Sequence, residues 1–386
     1  MMKKISVLLL ALVMLFSLAA CSGNEDASPS ASTSEAATSS EAESPDDSPS
    51  ESEAPSTAGG DLTADVFIYN FADTYIASVR NNMETAFEAA GITANFHDAA
   101  EDQAKQTEQV TTAITQGTDL LIVNIVTTGS DDAAQNIVDL ASDADLPIIF
   151  FNREISDDVV SSYEKCAFVG TDADEAGVMQ GELAYNVLSE NFEEYDLNGD
   201  GNISYIMFKG ELGNAEADGR TKYSVENANE LLEADGLGTL VYYDPDNTEL
   251  FQGCNWDSAQ AQEAMATALN TNPFTGENPI ELVLANNDDM ALGAIEALNE
   301  IEYNTGEGDS IPVMGVDATD AAMSAIDSGK MTGTIKQDAE GMANTVVELA
   351  QNVQAGNELL DGITDTDLIT VDSDVSKIRV AYGIVS

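Results

Sequence analysis

From Val66 to Val316 the chain keeps one rhythm: a short apolar run, a polar break, a longer amphipathic stretch, and then the next apolar run. Short apolar runs bounded by turn residues read as strands buried on both faces, and stretches with helical periodicity read as helices. Regular alternation of the two demands a parallel sheet with helices over both faces, because parallel neighbours need a long crossover between them. In the first half the spacing predicts strands at 66–69, 93–97, 120–124 and 147–151, with helices at 75–90, 103–116 and 131–142. After a polar stretch and the run Ala167-Phe168-Val169 the rhythm restarts. It predicts a helix at 174–189, strands at 204–208, 240–243, 282–285 and 313–316, and helices at 217–232, 259–269, 290–298 and 320–326. A region of this length suits two cores better than one, so the fold class is α/β, built as two doubly wound parallel-sheet units.

The first 60 residues obey other rules. Lys3-Lys4, an apolar run through Leu18 and the small residues Ala19-Ala20 before Cys21 form an export signal, and the run falls short of the roughly 20 residues that a spanning helix needs. The segment 1–20 is expected to be cleaved and Cys21 to be lipidated, holding the protein on the outer face of a membrane. Residues 22–60 carry nine Asp/Glu, no Lys/Arg and almost no large apolar side chain. Such a segment cannot bury enough to fold, so 21–60 is expected to be a tether.

Without signal and tether, 61 acidic residues face 11 basic ones. That surface repels nucleic acid and anionic lipid headgroups, which excludes nucleic-acid partners. Gly-x-Gly-x-x-Gly and Gly-x-x-x-x-Gly-Lys signatures are absent, so nucleotide chemistry has no support. The single His97, beside Asp98 at a strand end, is expected in a solvated loop. Cys166 and Cys254 are expected either to pair or to stay free, and sequence leaves both open.

In doubly wound sheets ligands gather beyond the carboxyl ends of the strands. The residues there are polar or aromatic in each case: Asp73 and Tyr75, Asn152 and Arg153, then Glu211, Asn214, Glu216 and Arg220, then Trp256, Asn286-Asn287-Asp288, Asp317 and Gln337-Asp338. Carboxylates, amides, an Arg and flat aromatics are what a polyhydroxylated ring requires, hydrogen-bonding groups for its hydroxyls and apolar faces for its C–H surfaces. Singly, Trp256 reads as core and the 286–288 triplet as a helix cap. Recurrence at successive strand ends favours a shared site.

One further stretch has a distinct pattern. Asp196-Leu197-Asn198-Gly199-Asp200-Gly201-Asn202-Ile203-Ser204 places oxygen donors at alternate positions and Gly at the sixth, as calcium loops do. An EF-hand needs Glu at position 12, where this chain has Met207 inside an apolar strand. A calcium ion here requires a carboxylate from elsewhere, and the alternative is an Asn/Asp/Gly turn without metal.

Taken in order, Phe150-Phe151-Asn152, Val169-Gly170-Thr171-Asp172, the 196–200 loop, Lys209-Gly210-Glu211, Trp256-Asp257, Ala285-Asn286-Asn287-Asp288 and Gly315-Val316-Asp317-Ala318 resemble the galactose/glucose-binding members of the periplasmic sugar-binding family, which serve ABC transporters. The resemblance implies the type I periplasmic binding protein fold, two lobes joined by a three-crossing hinge that close on the sugar. It assigns 61–170 plus 337–377 to one lobe and 171–336 plus 378–386 to the other. Its sugar contacts fall on Asp73, Tyr75, Asn152, Asn214, Glu216, Arg220, Trp256, Asn287, Asp317 and Gln337. Four of these depart from the family pattern: Tyr75 stands where it has Phe, Asn214 for His, Glu216 for Asp and Gln337 for Asn. The resemblance also supplies the missing calcium ligand as Glu281, with Asp196, Asn198, Asp200, the carbonyl of Asn202 and Ser204, the last in place of a longer Gln.

The expected function is therefore a lipid-anchored receptor that captures a monosaccharide, galactose or glucose first, and presents it to an ABC permease as a monomer with a structural calcium ion. Another aldohexose or a pentose is the alternative ligand, and a chemoreceptor is a partner the family leaves open. A different class of reading is a glycoside-processing enzyme using Asp73, Glu216 and Asp317 as an acid/base pair. A ligand domain of a transcription regulator shares this fold, but the export signal and the lack of a basic segment count against it.

Overall fold

Two β-sheets divide residues 61–386, which the computed structural model describes. The export signal, Cys21 and the tether lie outside these residues. The first sheet is built from β1 (Thr63–Ile68), β2 (Thr93–Asp98), β3 (Leu120–Val123), β4 (Ile148–Phe151) and β5 (Cys166–Gly170), all parallel, in the order β5-β4-β3-β1-β2. The second contains β6 (Ile203–Lys209), β7 (Leu240–Tyr242), the short β8 (Gln252–Gly253), β9 (Leu282–Ala285), β10 (Val313–Asp317) and β11 (Gly333–Gln337). Its order is β11-β10-β9-β6-β7, again parallel, with β8 beside the far end of β6. Strands buried on both faces explain the unbroken apolar runs: every residue of β3, β4, β9 and β10 is buried.

The last fifty residues were not legible as elements. The helix Ala339–Ala355 returns to the first lobe and packs Met342, Val346 and Leu349 into its core. Beyond it β12 (Ile369–Asp372) and β13 (Lys377–Val380) extend the first sheet, and β14 (Tyr382–Val385) pairs antiparallel with β11. The turn between β12 and β13 is too short for a crossover helix, so that pair is antiparallel, and the sheets are parallel with antiparallel edges. The chain thus crosses between lobes after β5, after β11 and between Val380 and Tyr382. The last crossing falls after β13 rather than at 377, and Gln337 belongs to the second sheet.

Two helices of the second lobe, Ala173–Glu190 and Ala215–Ala234, lie against each other through glycines. A Cβ on Gly177 would come within 2.6 Å of the Gly219 carbonyl oxygen, and one on Gly181 within 2.7 Å of the Ser224 carbonyl oxygen. That contact fixes the second helix, which carries Glu216 and Arg220, against the lobe. Cys166 lies in the first lobe and Cys254 in the second; both are buried free thiols. His97 lies in β2, as the strand at 93–97 predicts, but is half-buried rather than solvated: Nε2 lies 2.6 Å from Asp65 Oδ1 and its ring stacks on Phe67. Among the described residues no helix is long and apolar enough to cross a membrane.

Candidate functional site

Between the lobes, at the carboxyl ends of both sheets, lies a pocket lined by all ten residues to which the resemblance assigns sugar contacts, together with Tyr69, Ile76 and the strand-end Arg153, while the strand-end residues Glu211, Asn286, Asp288 and Asp338 fall outside its lining. Each lining residue is there for a local reason. Asp73 caps the helix Thr74–Ala90, with Oδ1 accepting from the Ile76 amide at 2.7 Å and Oδ2 from the Tyr69 hydroxyl at 2.5 Å. Tyr75 sits in the first turn of that helix and points its hydroxyl at Met342 Sδ. Asn152 follows β4 with φ 63°, a left-handed conformation that asparagine tolerates, and accepts from Asn124 Nδ2 at 3.1 Å.

In the second lobe Asn214 caps the helix Ala215–Ala234, and Glu216 and Arg220 lie one turn apart on it. Asn287 caps the helix Asp288–Asn299 and donates to the Trp256 carbonyl at 3.3 Å. Trp256 lies flat on Gly210, where any Cβ would sit 2.4 Å from the indole. Asp317 ends β10 with φ 123°, outside the ordinary range for an L residue, and backbone strain of that kind gathers at ligand sites. Its Oδ1 is 3.8 Å from Arg220 Nη1.

Electrostatically the site is a set of buried charges in partial balance. Burial pushes the Asp317 carboxyl well above the usual carboxylate range, against the pull of Arg220. Burial likewise raises Glu216. Arg220 is held by the Asn286 carbonyl at 2.8 Å, Gln337 Oε1 at 3.0 Å and the Tyr382 hydroxyl at 3.1 Å. Three buried polar atoms on lining residues have no partner among the described residues: Glu216 Oε2, Arg220 Nε and Arg153 Nε. Unpaired groups of this kind cost about 1–3 kcal/mol each, so a pocket that concentrates them is prepared for a polar occupant.

The lobes are drawn together. Arg153 of the first lobe pairs with Glu211 of the second, Thr74 Oγ1 donates to Asp289 Oδ2 at 2.8 Å, and the Glu154 amide donates to Glu216 Oε1 at 2.9 Å. The free space in this pocket is only about 40 Å³, room for a few waters, so a sugar ring fits once the lobes part further. A second cavity of about 520 Å³ adjoins it at the cleft mouth, sharing Tyr69, Asp73, Arg153 and Trp256.

Arg153 stood at a strand end in the sequence but carried no assigned role. In the structure its guanidinium lies 4.3 Å from the centre of the Tyr69 ring. Glu154 and Tyr382 carried no sequence signal. Glu154 is gripped by Arg379 and by Lys377, the latter at 2.6 Å, both on β13, which itself was not foreseen.

The 196–204 loop wraps around its own side chains. Asp196 accepts amides of Gly199, Asp200 and Gly201, Asn198 Oδ1 accepts that of Asp200, and Asp200 Oδ1 that of Asn202. Glu281, 1 % exposed, reaches the loop from the start of β9, taking the Leu197 and Ser204 amides at 2.7 Å each. Three carboxylates and an amide oxygen around one turn suit an oxygen-seeking divalent ion in chemistry. In placement they fit only in part. Ser204 gives its hydroxyl to the Pro279 carbonyl, and among the described residues no three acidic, His or Cys side chains are arranged to hold a metal.

The chain matches the periplasmic binding protein domain over residues 64–358. It is 32 % identical to the D-galactose/methyl-galactoside binding periplasmic protein MglB of Haemophilus influenzae, over 77 % of this chain and 83 % of that protein. It is 31 % identical to a putative rhizopine-binding protein of Rhizobium meliloti, over 74 % of this chain and 82 % of that one. A solved ABC transporter solute binding protein from Bacillus halodurans with bound myo-inositol aligns with a TM-score of 0.64 at 29 % identity, covering 85 % of this chain and 95 % of that one. These relatives are binding proteins and not enzymes, which removes the glycoside-processing reading. The chain belongs to the periplasmic binding protein family.

Proposed function

We propose that this protein is an exported, membrane-anchored solute receptor that captures a monosaccharide between its lobes and delivers it to an ABC importer. One observation carries the reading: a pocket between two lobes whose lining includes one unpaired buried acceptor, Glu216 Oε2, and two unpaired donors, Arg220 Nε and Arg153 Nε. A ring bearing several hydroxyls, each both donor and acceptor, satisfies all three at once. Closure follows because the ligand bridges groups on both lobes and so binds the closed form better than the open one.

Galactose or glucose is the first expectation, supported by the Haemophilus relative, a D-galactose/methyl-galactoside binding protein. The rhizopine and myo-inositol relatives keep other polyhydroxylated rings in play. Titration calorimetry of the full chain with D-galactose, D-glucose, D-ribose and myo-inositol tests it. Heat with galactose or glucose is expected, heat with myo-inositol alone moves the ligand to a cyclitol, and no heat with any of them ends the sugar reading.

Two finer features belong to the same proposal. Anchoring rests on Cys21 and its preceding Leu-Ala-Ala, and detergent-dependent release from membranes that a Cys21→Ser variant abolishes is the expected outcome. Calcium at the 196–204 loop rests on its oxygen spacing and on Glu281, which meets it from a distant strand. Bound there, the ion would be held by Asp196, Asn198, Asp200, the Asn202 carbonyl and Glu281, clipping the loop to β9 and adding stability rather than chemistry.

A further inference from the structure

The three crossings between the lobes meet at the Thr171 hydroxyl, which bonds to Tyr382 and to Gln337. Thr171 lies just after β5 at the first crossing, Gln337 ends β11 at the second, and Tyr382 opens β14 after the third. The Tyr382 hydroxyl is 2.6 Å from Thr171 Oγ1 and accepts from Arg220 Nη2 at 3.1 Å. The same Nη2 donates to Gln337 Oε1 at 3.0 Å, and Gln337 Nε2 donates to Thr171 Oγ1 at 3.3 Å. Four side chains thus close a ring of hydrogen bonds, with exposures of 2 % for Thr171 and Gln337, 3 % for Arg220 and 8 % for Tyr382.

The ring has two kinds of members. Arg220 and Gln337 line the pocket, whereas Tyr382 and Thr171 do not. Gln337 and Tyr382 are register partners in the second sheet and Arg220 lies on a second-lobe helix, so the two bonds to Thr171, just past the end of β5, are the ones that span a crossing, and shielded from water they hold it at one bend. We infer that Tyr382 is a positioning residue: its hydroxyl holds the hinge at the closed bend and ties that bend to the orientation of Arg220 in the pocket. Only the ligand arm of the test below rests on the sugar reading.

The Tyr382 ring packs in the second lobe's core, so Tyr382→Phe keeps the packing and removes only the hydroxyl. Thr171→Val removes the hydroxyl's partner with little change of shape. In the full chain, the distance between spin labels at Glu101 and Gln260, exposed residues lining the cleft-mouth cavity, reports closure without any ligand. Each variant is expected to lower the ligand-free closed fraction, and the double variant to lower it no further than the larger single effect. With D-galactose, Tyr382→Phe is expected to raise the dissociation rate about tenfold, a change worth about one buried hydrogen bond, with little change in association. Wild-type distances in both variants overturn the inference, as does a lower ligand-free melting temperature with distances unchanged, since that outcome marks a purely structural role. Shifted distances in a protein whose wild type binds none of the four rings uphold the hinge inference and take down the sugar reading alone.

Discussion

The backbone amide of Glu154, in the first lobe, donates to Glu216 Oε1, in the second, at 2.9 Å. One carboxylate therefore has two tasks, since Oε1 fastens the lobes while Oε2 stays buried and unpaired on a residue that lines the pocket. Glu154 is itself rigid, because Arg379 and Lys377 hold its carboxylate from β13. The extra methylene of Glu over Asp gives the reach to the far lobe. Glu216→Asp is expected to weaken galactose binding about tenfold, the loss of about one hydrogen bond near 1.4 kcal/mol. Calorimetry on the variant reads the effect, and wild-type affinity would show that the cross-lobe bond contributes nothing.

The Arg153–Glu211 pair is an ion pair across the cleft, with side-chain exposures of 5 % and 35 %. Partial solvation of Glu211 keeps its worth within about 1 kcal/mol, so Glu211→Gln is expected to speed ligand release only about threefold. The clearer signature is ionic strength. Wild-type release should quicken between about 50 and about 500 mM salt while the variant's stays nearly flat, and parallel salt curves in stopped-flow would refute the role.

Much of this fold was written in the apolar runs. β1, β3, β4, β9 and β10 are buried on nearly every residue, and burial on both faces leaves a pattern that needs no partner to be read. β12 and β14 escape because they are half-exposed edge strands, and Ile369-Thr370-Val371-Asp372 looks like any polar loop. The same logic divides the site. Strand-end residues such as Asn152 and Asp317 are found from their position in the rhythm, whereas Glu154 and Tyr382 matter through bonds to residues 62 and 162 positions away in the chain. No local pattern encodes those distances. The family resemblance adds residue roles that rhythm alone does not carry, Glu281 above all.

Glu281 joins the loop to β9 whether or not an ion is present, and the two contributions are separable. If calcium binds, the full chain in about 1 mM calcium should melt about 5–10 °C above the same sample with chelator, the shift produced by a ligand at about a hundred times its Kd. Glu281→Gln should remove that difference and lower the chelated midpoint too, because an amide cannot accept from the Leu197 and Ser204 amides on both of its heavy atoms. Identical wild-type midpoints with and without chelator would leave the loop held to β9 by Glu281 and its other protein hydrogen bonds, with no ion.

Beneath the pocket Asp288 is fully buried, with Oδ1 accepting from Thr334 Oγ1 at 2.6 Å and Oδ2 from the Thr319 amide at 2.7 Å. Burial pushes its carboxyl up from 3.8 to about 6 despite those bonds, with neighbouring Asp289 adding to the shift. The unfolded chain gives up this proton near pH 3.8 and the folded chain holds it to about 6, so the folded form binds more protons between the two. Stability must therefore fall as pH rises through that window. Repulsion within the acidic surface acts in the same direction, so the contribution of Asp288 appears only against a variant. Asp288→Asn can turn its oxygen to Thr319 and its amide to the Thr334 hydroxyl, which accepts as readily as it donates. The variant is expected to match the wild type near pH 4 and to exceed it by about 2–3 kcal/mol at pH 7 in urea melts, the scale of a two-unit shift. Parallel stability curves across that range would show that Asp288 ionises in the folded protein as it does in the unfolded chain.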